Sequence, residues 1–339
     1  MSSSKGAPLT TQTAHAPLSV LDFCTIYEGE TAAQSMAHSV TLAQRAEELG
    51  YKRLWYTEHH NMSTITSSAP AVLISHIGAH TNSIRLGSGG VMLPNHAPYI
   101  IAEQFGTLAE LYPDRIDLGV GRAPGTDMHT LGRALRRDGN AAERFPEDVH
   151  ELTAYLAGKS IIPGVQAVPG ANTHVPVYIL GSSMFGASLA AKYGLPYSFA
   201  SHFAPQHLEA ATKYYRDNFQ PSDVLDEPYV IAAVNVTAGD TSEEASEIFE
   251  RVGFNRVKAF AGRGKFLTDE QVNQIIGSYQ GQQILEMLRY SAVGTGDEVR
   301  EYLEWFQDHA SADELMVSIQ TSSRAETLKS LDILAKAWF

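Results

Sequence analysis

Residues 84–122 read IRLGSGGVMLPNHAPYIIAEQFGTLAELYPDRIDLGVGR, and this stretch decides the fold. It opens with an alternating apolar run, Ile84–Gly87, which predicts a strand that breaks at the serine and glycines that follow. Pro98 begins a segment with apolar residues near helical spacing, and Pro113 ends it. A second strand is predicted at Arg115–Val120. Because a helix and a short turn join the two strands, we expect them to be parallel.

The same alternation of strand and helix continues on both sides of this stretch. Six further strands are predicted from short apolar runs, at residues 18–23, 53–56, 176–180, 195–200, 229–236 and 314–318. Each is followed by at least one helical pattern, and eight such units are typical of a (β/α)₈ TIM barrel in the α/β class. The main alternative is an open doubly wound sheet, which usually has fewer strands and a glycine fingerprint after the first one. That fingerprint is absent, so we predict the barrel.

Two irregular segments account for the extra length of the chain. Its 339 residues exceed the roughly 250 residues of a typical TIM barrel. We expect the insertions after strands 4 and 7, where residues 158–174 hold three glycines and two prolines and the glycines of residues 260–281 interrupt any helical pattern. The second segment is predicted to be a mobile loop or lid. Residues 18–339 are predicted to form a single domain after a flexible N-terminal tail, residues 1–17.

The composition excludes several classes of partner. The formal net charge is −13 and no basic stretch offsets it, which argues against nucleic acid or anionic membranes as partners. No apolar run approaches the roughly 20 residues of a membrane span. Cys24 is the only cysteine, so no intrachain disulfide can form and a reducing compartment is favoured. We therefore expect a soluble, cytoplasmic protein.

Polar residues and glycines collect where the predicted strands end. In a TIM barrel the active site lies at these C-terminal strand ends. The residues concerned are Asp22, Glu58–Asn61, Ser88–Gly90, Gly121–Arg122, Gly181–Ser183, Ser201–His202, Asn235 and Ser318. Adjacent histidines, a lone arginine, serines before a helix and glycines that permit close approach together indicate a phosphorylated cofactor and acid–base chemistry.

An anion site is predicted where the fifth strand meets its helix. Gly181, Ser182 and Ser183 precede that helix, whose free N-terminal amides attract negative charge, and the two hydroxyls add donors. The alternative is that the serines are only helix N-caps. Arg122 ends an otherwise apolar strand, and its guanidinium could hold a phosphate through two hydrogen bonds. Its alternative role is an ion pair with a nearby carboxylate.

The histidines permit acid–base catalysis more readily than metal binding. His59 and His60 are adjacent on a strand end, so at most one should point into the site, where it could act as a general acid or base. His76 and His80 have a spacing that can bind zinc, but they lack the glutamate of a zinc motif and could equally form a half-buried helix face. We predict no metal site. Phosphate-binding and nucleophile-elbow motifs are also absent.

Several blocks of sequence, taken together, resemble the bacterial luciferase-like monooxygenases, a flavin-dependent family that includes the alkanal monooxygenase subunits. The similarity extends from Leu18 to the last predicted helix. Its blocks are Glu58–Met62, Arg85–Pro98, Ala102–Phe105, Arg115–Gly125 and Leu180–Ser183. Their order and spacing make the signal specific, because any one block alone would be weak.

The resemblance implies an FMN-binding barrel that receives reduced FMN from a separate flavin reductase. By position, Arg122 and Ser183 would hold the FMN phosphate, and Ser182 would lie beside them. Leu180 would line the ring or ribityl path, and Gly181 completes the same cofactor-binding block. The flavin would react with O2 to form a C4a-peroxyflavin, which must be protected from water.

The resemblance also implies the catalytic residue and the assembly. His59 matches the family's active-site histidine, while Gly89 and Gly90 match its non-prolyl cis peptide beneath the flavin ring. Residues 260–281 coincide with the mobile lid of the family. The helices predicted at 69–80 and 98–112 would pack against their symmetry mates in a homodimer.

Two departures separate this chain from the luciferases. Gly121 replaces their reactive cysteine, which argues against light emission, and Gly186 replaces a threonine beyond the serines. Arg136 or Arg137 is a candidate to supply the missing phosphate contact. The substrate is not specified, with aldehydes and ketones as candidates. The alternatives to an FMN monooxygenase are an oxidoreductase that uses the deazaflavin coenzyme F420 and a non-catalytic flavin-binding protein.

Overall fold

The computed structural model describes residues 15–262 and 266–339. Most of the predicted N-terminal tail, residues 1–14, lies outside the described residues. The described end of that segment contacts the last helix of the chain, since the rings of His15 and Trp338 stack with centroids 4.4 Å apart. The Trp338 indole nitrogen also donates a hydrogen bond of 2.9 Å to the Ala16 carbonyl oxygen.

Nine parallel strands of the described residues form the centre of the structure. They are β1 (Leu18–Asp22), β2 (Arg53–Tyr56), β3 (Arg85–Met92), β4 (Ile116–Gly121), β5 (Val177–Gly181), β6 (Tyr197–Phe199), β7 (Val230–Ala238), β8 (Ser291–Gly294) and β9 (Glu314–Ile319). Strands β1 to β6 pair in chain order, β6 pairs with β7, β7 with β9, and β9 with β1. These eight strands therefore close a barrel, and the predicted (β/α)₈ fold is confirmed.

Strand β8 is an addition to the barrel that the sequence prediction missed. The first half of one β7 edge pairs with β6, through Val230 to Ala232. The second half, Asn235 to Ala238, pairs with β8. Because only Ala292 and Val293 of its four residues are apolar, β8 has no apolar run that would distinguish it from a loop.

Helices surround the barrel. They are α1 (Ala32–Glu48), α2 (Pro70–Gly78), α3 (Pro98–Leu111), α4 (Phe145–Leu156), α5 (Met184–Tyr193), α6 (Leu208–Asp217), α7 (Ser242–Gly262), α8 (Asp269–Ile276), α9 (Tyr279–Leu285), α10 (Gly296–Ala310) and α11 (Arg324–Trp338). Local signals set several ends: Thr31 and Thr295 form capping boxes at the starts of α1 and α10. Among the described residues, no helix has the length and apolar character that a membrane span requires.

Residues 260–281 are largely helical where they are described, which corrects the predicted loop. Helix α7 extends to Gly262, and α8 and α9 follow, with residues 263–265 outside the described part. Thr268 forms a capping box at the start of α8. Gly281 is a packing glycine rather than a helix breaker, because a Cβ there would collide with the backbone of Ile275.

The predicted break after Gly87 is also corrected, because β3 continues through these glycines to Met92. The peptide bond between Gly89 and Gly90 is cis. The pairing of β3 with β4 shifts in register between Gly89 and Val91, so the strand is irregular but unbroken. A Cβ at Gly90 would lie 2.7 Å from the Gly119 carbonyl oxygen, which explains why glycine is needed here.

Buried charges fill the N-terminal end of the barrel. Arg53 donates hydrogen bonds to Asp117 at 2.7 Å, to Tyr178 at 2.7 Å and to Glu314 at 3.1 Å. Tyr229 donates to the same glutamate at 2.6 Å. Above this network lies a small apolar cluster of Leu21, Trp55, Tyr178, Ile231, Ala233 and Met316, with Phe23, Leu180 and Tyr229 packed against it. The opposite, C-terminal end is the barrel mouth, where most of the predicted strand-end residues lie.

Candidate active site

His59 lies at the barrel mouth after β2. Its Nδ1 is 3.0 Å from Thr57 Oγ1, and its ring centroid is 5.7 Å from that of Phe23. Burial, and then the neighbouring His60, lower the pKa of His59 below its ordinary value. Within the described residues its Nε2 forms no hydrogen bond, so this atom of a neutral imidazole is free to accept one.

His60 has different surroundings from its neighbour, as strand alternation predicts. Its Nε2 donates a 2.9 Å hydrogen bond to the buried carboxylate of Glu58, and His96 Nε2 donates to the same oxygen at 2.8 Å. The Met92 amide donates to the other oxygen at 3.0 Å. Burial opposes ionisation of Glu58, but the hydrogen bonds outweigh it and lower the pKa of Glu58 to about 2. This cluster therefore anchors the β2 end to the loop after β3.

The cis peptide that the resemblance implies lies beside the apolar cluster of the barrel. Gly89 is partly exposed, and a Cβ there would lie 2.8 Å from Leu21 Cδ1. A Cβ at Gly90 would lie 3.0 Å from Leu180 Cδ2. These glycines and Leu180 are thus brought together, and any added side chain would fill the space between them.

Arg122 lies over the start of α5. Its guanidinium carbon is 4.0 Å from the ring centroid of Phe185, and the described residues supply no carboxylate partner. Ser183 is the N-cap residue of α5, yet its side chain makes no capping hydrogen bond. Neither alternative suggested by the sequence, an ion pair for Arg122 or a capping hydroxyl, is therefore formed. Both side chains are exposed and face no competing partner in the described chain.

Two further residues lie beside the candidate anion site, namely Arg137 and, in the first turn of α5, Gly186. Arg137 Nη2 donates to the Arg122 carbonyl oxygen at 3.3 Å, so Arg137 lies next to the candidate anion site. Gly186 is buried, and a Cβ there would lie 3.2 Å from Tyr197 Cε2 and 3.4 Å from Gly181 Cα. A threonine at this position would therefore press against Tyr197, whose ring would have to shift by a few tenths of an ångström.

Comparison with known proteins identifies the family of this chain. The family model described as luciferase-like monooxygenase matches residues 18–313. The chain belongs to the luciferase-like monooxygenase family. Escherichia coli (strain K12) has a relative named luciferase-like monooxygenase that is 42% identical over 317 residues, covering 93% of this chain and 95% of the relative. The N-acetyl-S-alkylcysteine monooxygenase of Bacillus subtilis (strain 168) is 38% identical over 242 residues, covering 68% of this chain and 70% of that protein.

Solved structures of the luciferase-like fold extend the comparison. The apo form of MsnO8 superposes with a TM-score of 0.84 at 33% identity, covering 96% of this chain and 98% of that one. The oxygenating constituent of 3,6-diketocamphane monooxygenase from Pseudomonas putida, solved with FMN, has a TM-score of 0.68 at 16% identity, covering 95% and 97%. An F420-dependent secondary alcohol dehydrogenase has a TM-score of 0.69 at 15% identity, covering 96% and 99%. The last two show the fold alone.

The mouth of this family member also contains residues to which sequence reasoning gave no role. His202 is 6% exposed, and its Nδ1 has no hydrogen-bond partner in the described chain. Burial, and then the charge of Arg256, lower the pKa of His202 to about 3. The ring of Phe23 is near both histidines, with centroid distances of 6.0 Å to His202 and 5.7 Å to His59. The sequence indicated His202 and Asn235 only through their positions at strand ends. No feature of the sequence distinguished Arg256 from the other arginines.

Asp22 is not part of the mouth, although it ends β1. Its carboxylate accepts hydrogen bonds from the Ser39 hydroxyl and, at 2.8 Å, from the Cys24 amide. Burial raises the pKa of Asp22 despite these contacts. The side chain thus ties the end of β1 to helix α1 and contributes to the fold.

Proposed function

We propose that this chain is a two-component, flavin-dependent monooxygenase that uses reduced FMN and O2 on an organic substrate. One observation carries the proposal: four elements of the site lie on consecutive barrel strands, namely His59 after β2, Gly89–Gly90 in β3, Arg122 after β4 and Ser182–Ser183 after β5. Consecutive strands are neighbours in this barrel, so the four elements form one arc around the mouth. The FMN complex of a protein with the same fold supports FMN as the cofactor.

The phosphate of FMN would bind at the β4–β5 side of this arc. The Arg122 guanidinium can donate two parallel hydrogen bonds to a phosphate, and the free Ser183 hydroxyl can donate another. The amides in the first turn of α5 add donors and the positive end of the helix dipole. Ser182 and Gly181 lead the chain into this turn, and Gly181 leaves room for it.

The flavin ring would lie against the apolar centre of the mouth. Gly89, Gly90 and Leu180 form a surface without polar side chains, and Phe23 packs against the same cluster. Apolar contact there excludes water from the ring. When bound, reduced FMN supplies the electrons that activate O2.

His59 would move a proton at its Nε2. When Nδ1–H donates to Thr57 Oγ1, Nε2 is left as an acceptor. The lowered pKa keeps this imidazole neutral near pH 7, so His59 can accept a proton from a reacting group and return it.

The proposal also includes a separate flavin reductase that supplies reduced FMN, and assembly of the chain as a homodimer. A cytoplasmic location is the third part, and the presence of a single cysteine favours it. Helices α2 and α3 border a groove of about 690 Å³ whose lining includes Val72 and Leu111. Val72 is 72% exposed and Leu111 is 57% exposed, so this face carries apolar side chains that a second copy would cover.

A coenzyme F420 oxidoreductase is the second candidate, because an F420-dependent dehydrogenase has the same fold. Anaerobic titrations of the protein with reduced FMN, riboflavin and reduced coenzyme F420 would compare the three. We expect FMN to bind at least about tenfold more tightly than riboflavin, because only FMN carries the phosphate. Equal affinities would contradict the phosphate site, and preferential F420 binding with hydride transfer would favour the second candidate.

A turnover assay would then distinguish an enzyme from a non-catalytic flavin-binding protein. The test supplies a flavin reductase and isotope-labelled O2 together with a panel of aldehydes and ketones. Labelled oxygen in a product supports the monooxygenase. Tight FMN binding without any labelled product would favour a non-catalytic flavin-binding protein.

A further inference from the structure

A second cationic group approaches the mouth from the side opposite Arg122. Arg256 projects from α7, and its Nη2 donates a 3.1 Å hydrogen bond to Gln320 Oε1. Gln320 Nε2 in turn donates to Ser318 Oγ, at 2.7 Å, near the end of β9. In the eight-strand ring, β9 is four strands from β4 in either direction. Arg256 and Arg122 therefore lie on opposite sides of the mouth.

Gln320 holds its position through the backbone of β7. The backbone amide of Gln320 donates a hydrogen bond of 2.8 Å to the Val236 carbonyl oxygen. Its own carbonyl oxygen accepts a 2.7 Å hydrogen bond from Thr237 Oγ1. The side chain that contacts Arg256 is thus attached to the barrel itself, which fixes the position of the guanidinium.

Arg256 has no carboxylate partner in the described chain, although it is mostly buried. Burial lowers the pKa of Arg256 to about 10, and no acidic side chain offsets that effect. The residues outside the description, 1–14 and 263–265, contain no aspartate or glutamate. A buried cation without a counter-ion is unfavourable, so an anion bound beside Arg256 would be stabilised.

A second polar group of this region also lacks a partner. His202 is 6% exposed, and its Nδ1 forms no hydrogen bond within the described residues. Asn235 lies opposite Ser318 in the pairing of β7 with β9, and Ser318 contacts the Gln320 side chain that holds Arg256. The side-chain amide of Asn235 donates a hydrogen bond of 2.8 Å to the His202 carbonyl oxygen, which attaches the segment after β6 to β7.

We propose that Arg256 binds a carboxylate of the organic substrate, with His202 as a second donor. This inference rests on the proposed function, because it assigns the substrate class of the same mouth. A planar carboxylate can accept two hydrogen bonds from a guanidinium. The FMN phosphate would occupy the opposite side, so cofactor and substrate anions would bind together. The substrate's reactive carbon or heteroatom would then lie between Arg256 and His59, beside Phe23.

Binding of simple carboxylates to the cofactor-free protein tests this inference without requiring turnover. The probes are hexanoate, octanoate and decanoate, each compared with its neutral amide by isothermal titration calorimetry. We expect at least one acid to bind more tightly than its amide. Arg256→Gln should weaken binding of that acid on the order of tenfold to a hundredfold, as for loss of a charged hydrogen-bond donor.

Three further variants complete the experiment. Arg251→Ala removes an exposed arginine of α7 that pairs with Glu326, and it should leave carboxylate binding unchanged. Arg122→Ala should weaken FMN binding only. Gln320→Glu supplies Arg256 with an internal carboxylate and should abolish binding of the acids even if Arg256→Gln fails to fold.

Three results would overturn the inference. They are equal binding of every acid and its amide, unchanged acid binding in a folded Arg256→Gln or Gln320→Glu protein, and a loss of FMN affinity in Arg256→Gln as large as in Arg122→Ala. The last would make Arg256 a cofactor contact. Acid binding that depends on Arg256 would stand even if FMN failed to bind, so the two proposals fail separately.

Discussion

The guanidinium of Arg122 lies 4.0 Å from the ring centroid of Phe185, the second residue of α5. A side chain from the end of β4 therefore rests on the first turn of the helix that follows β5, beside Ser183. An aromatic ring at this distance holds the cation through a cation–π interaction and leaves its N–H groups free to bind an anion.

We expect Arg122→Ala to weaken binding of reduced FMN by about ten- to a hundredfold, because it removes charged hydrogen bonds to the phosphate. Ser183→Ala should have a smaller effect in the same direction. Anaerobic fluorescence titration would measure both. Arg133→Ala is the matched control, since Arg133 is an exposed arginine of the same loop. An unchanged FMN affinity in Arg122→Ala would refute the phosphate assignment.

His59→Gln should reduce turnover by about a hundredfold or more while FMN affinity changes little, because general acid–base groups typically contribute 10²–10⁴ to rate. In the unsubstituted protein, the pKa of His59 lies below its ordinary value of 6.5. Turnover that uses neutral His59 should therefore reach half of its maximum below pH 6.5 and be nearly level from about pH 7.5 upward. A pH–rate profile measured with saturating reduced FMN provides the check. A rate that falls to half as the pH drops from 8 to 7 would contradict the neutral imidazole.

The barrel could be predicted because each of its eight strands has a helix after it and at least a short apolar run. Strand β8 could not, because only two of its four residues are apolar, and α8 and α9 could not, because Gly277 and Gly281 interrupt the helical pattern there. Gly281 misled the prediction for a physical reason. A glycine used for close packing has the same letter as one that ends a helix.

The candidate site likewise contains some residues that the sequence could indicate and others that it could not. Residues at strand ends, such as His59, Arg122 and Ser183, could be selected because the fold brings these ends to one mouth. Asp22 met the same criterion but bonds to Ser39 instead, because the chain turns after β1. Arg256 lies within a helix, and helical periodicity does not reveal which arginine is partly buried without a carboxylate partner.

The exposed apolar face of α2 and α3 leads to a prediction about assembly. We expect Val72→Asp to convert a dimer into a monomer, because a buried unpaired charge at the centre of the interface is strongly unfavourable. Sedimentation velocity at several concentrations would measure the change. Val224→Asp serves as the control, because Val224 is also exposed, at 59%, but lies away from these helices. If the unsubstituted protein sediments as a monomer at micromolar concentration, the dimer proposal is wrong.

The Glu58 cluster should make stability depend on pH in the acid range. The pKa of Glu58 is about 2 in the folded protein, below its ordinary value of 4.5. Ionisation of this carboxylate therefore stabilises the fold above pH 4.5, and this stabilisation is lost as the pH falls from 4.5 through 2. Glu58→Gln should reduce the free energy of unfolding by about 1–3 kcal/mol at pH 7, because His60, His96 and the Met92 amide lose a charged acceptor.

The difference between Glu58→Gln and the unsubstituted protein should shrink as the pH is lowered from 5 to 3. Urea unfolding at pH 7, 5, 4 and 3 would measure it. Glu110→Gln, an exposed position on α3, should change stability little at any of these values. A destabilisation by Glu58→Gln that is the same at pH 7 and pH 3 would mean that the shape of the side chain, and not its charge, holds His60 and His96 in place.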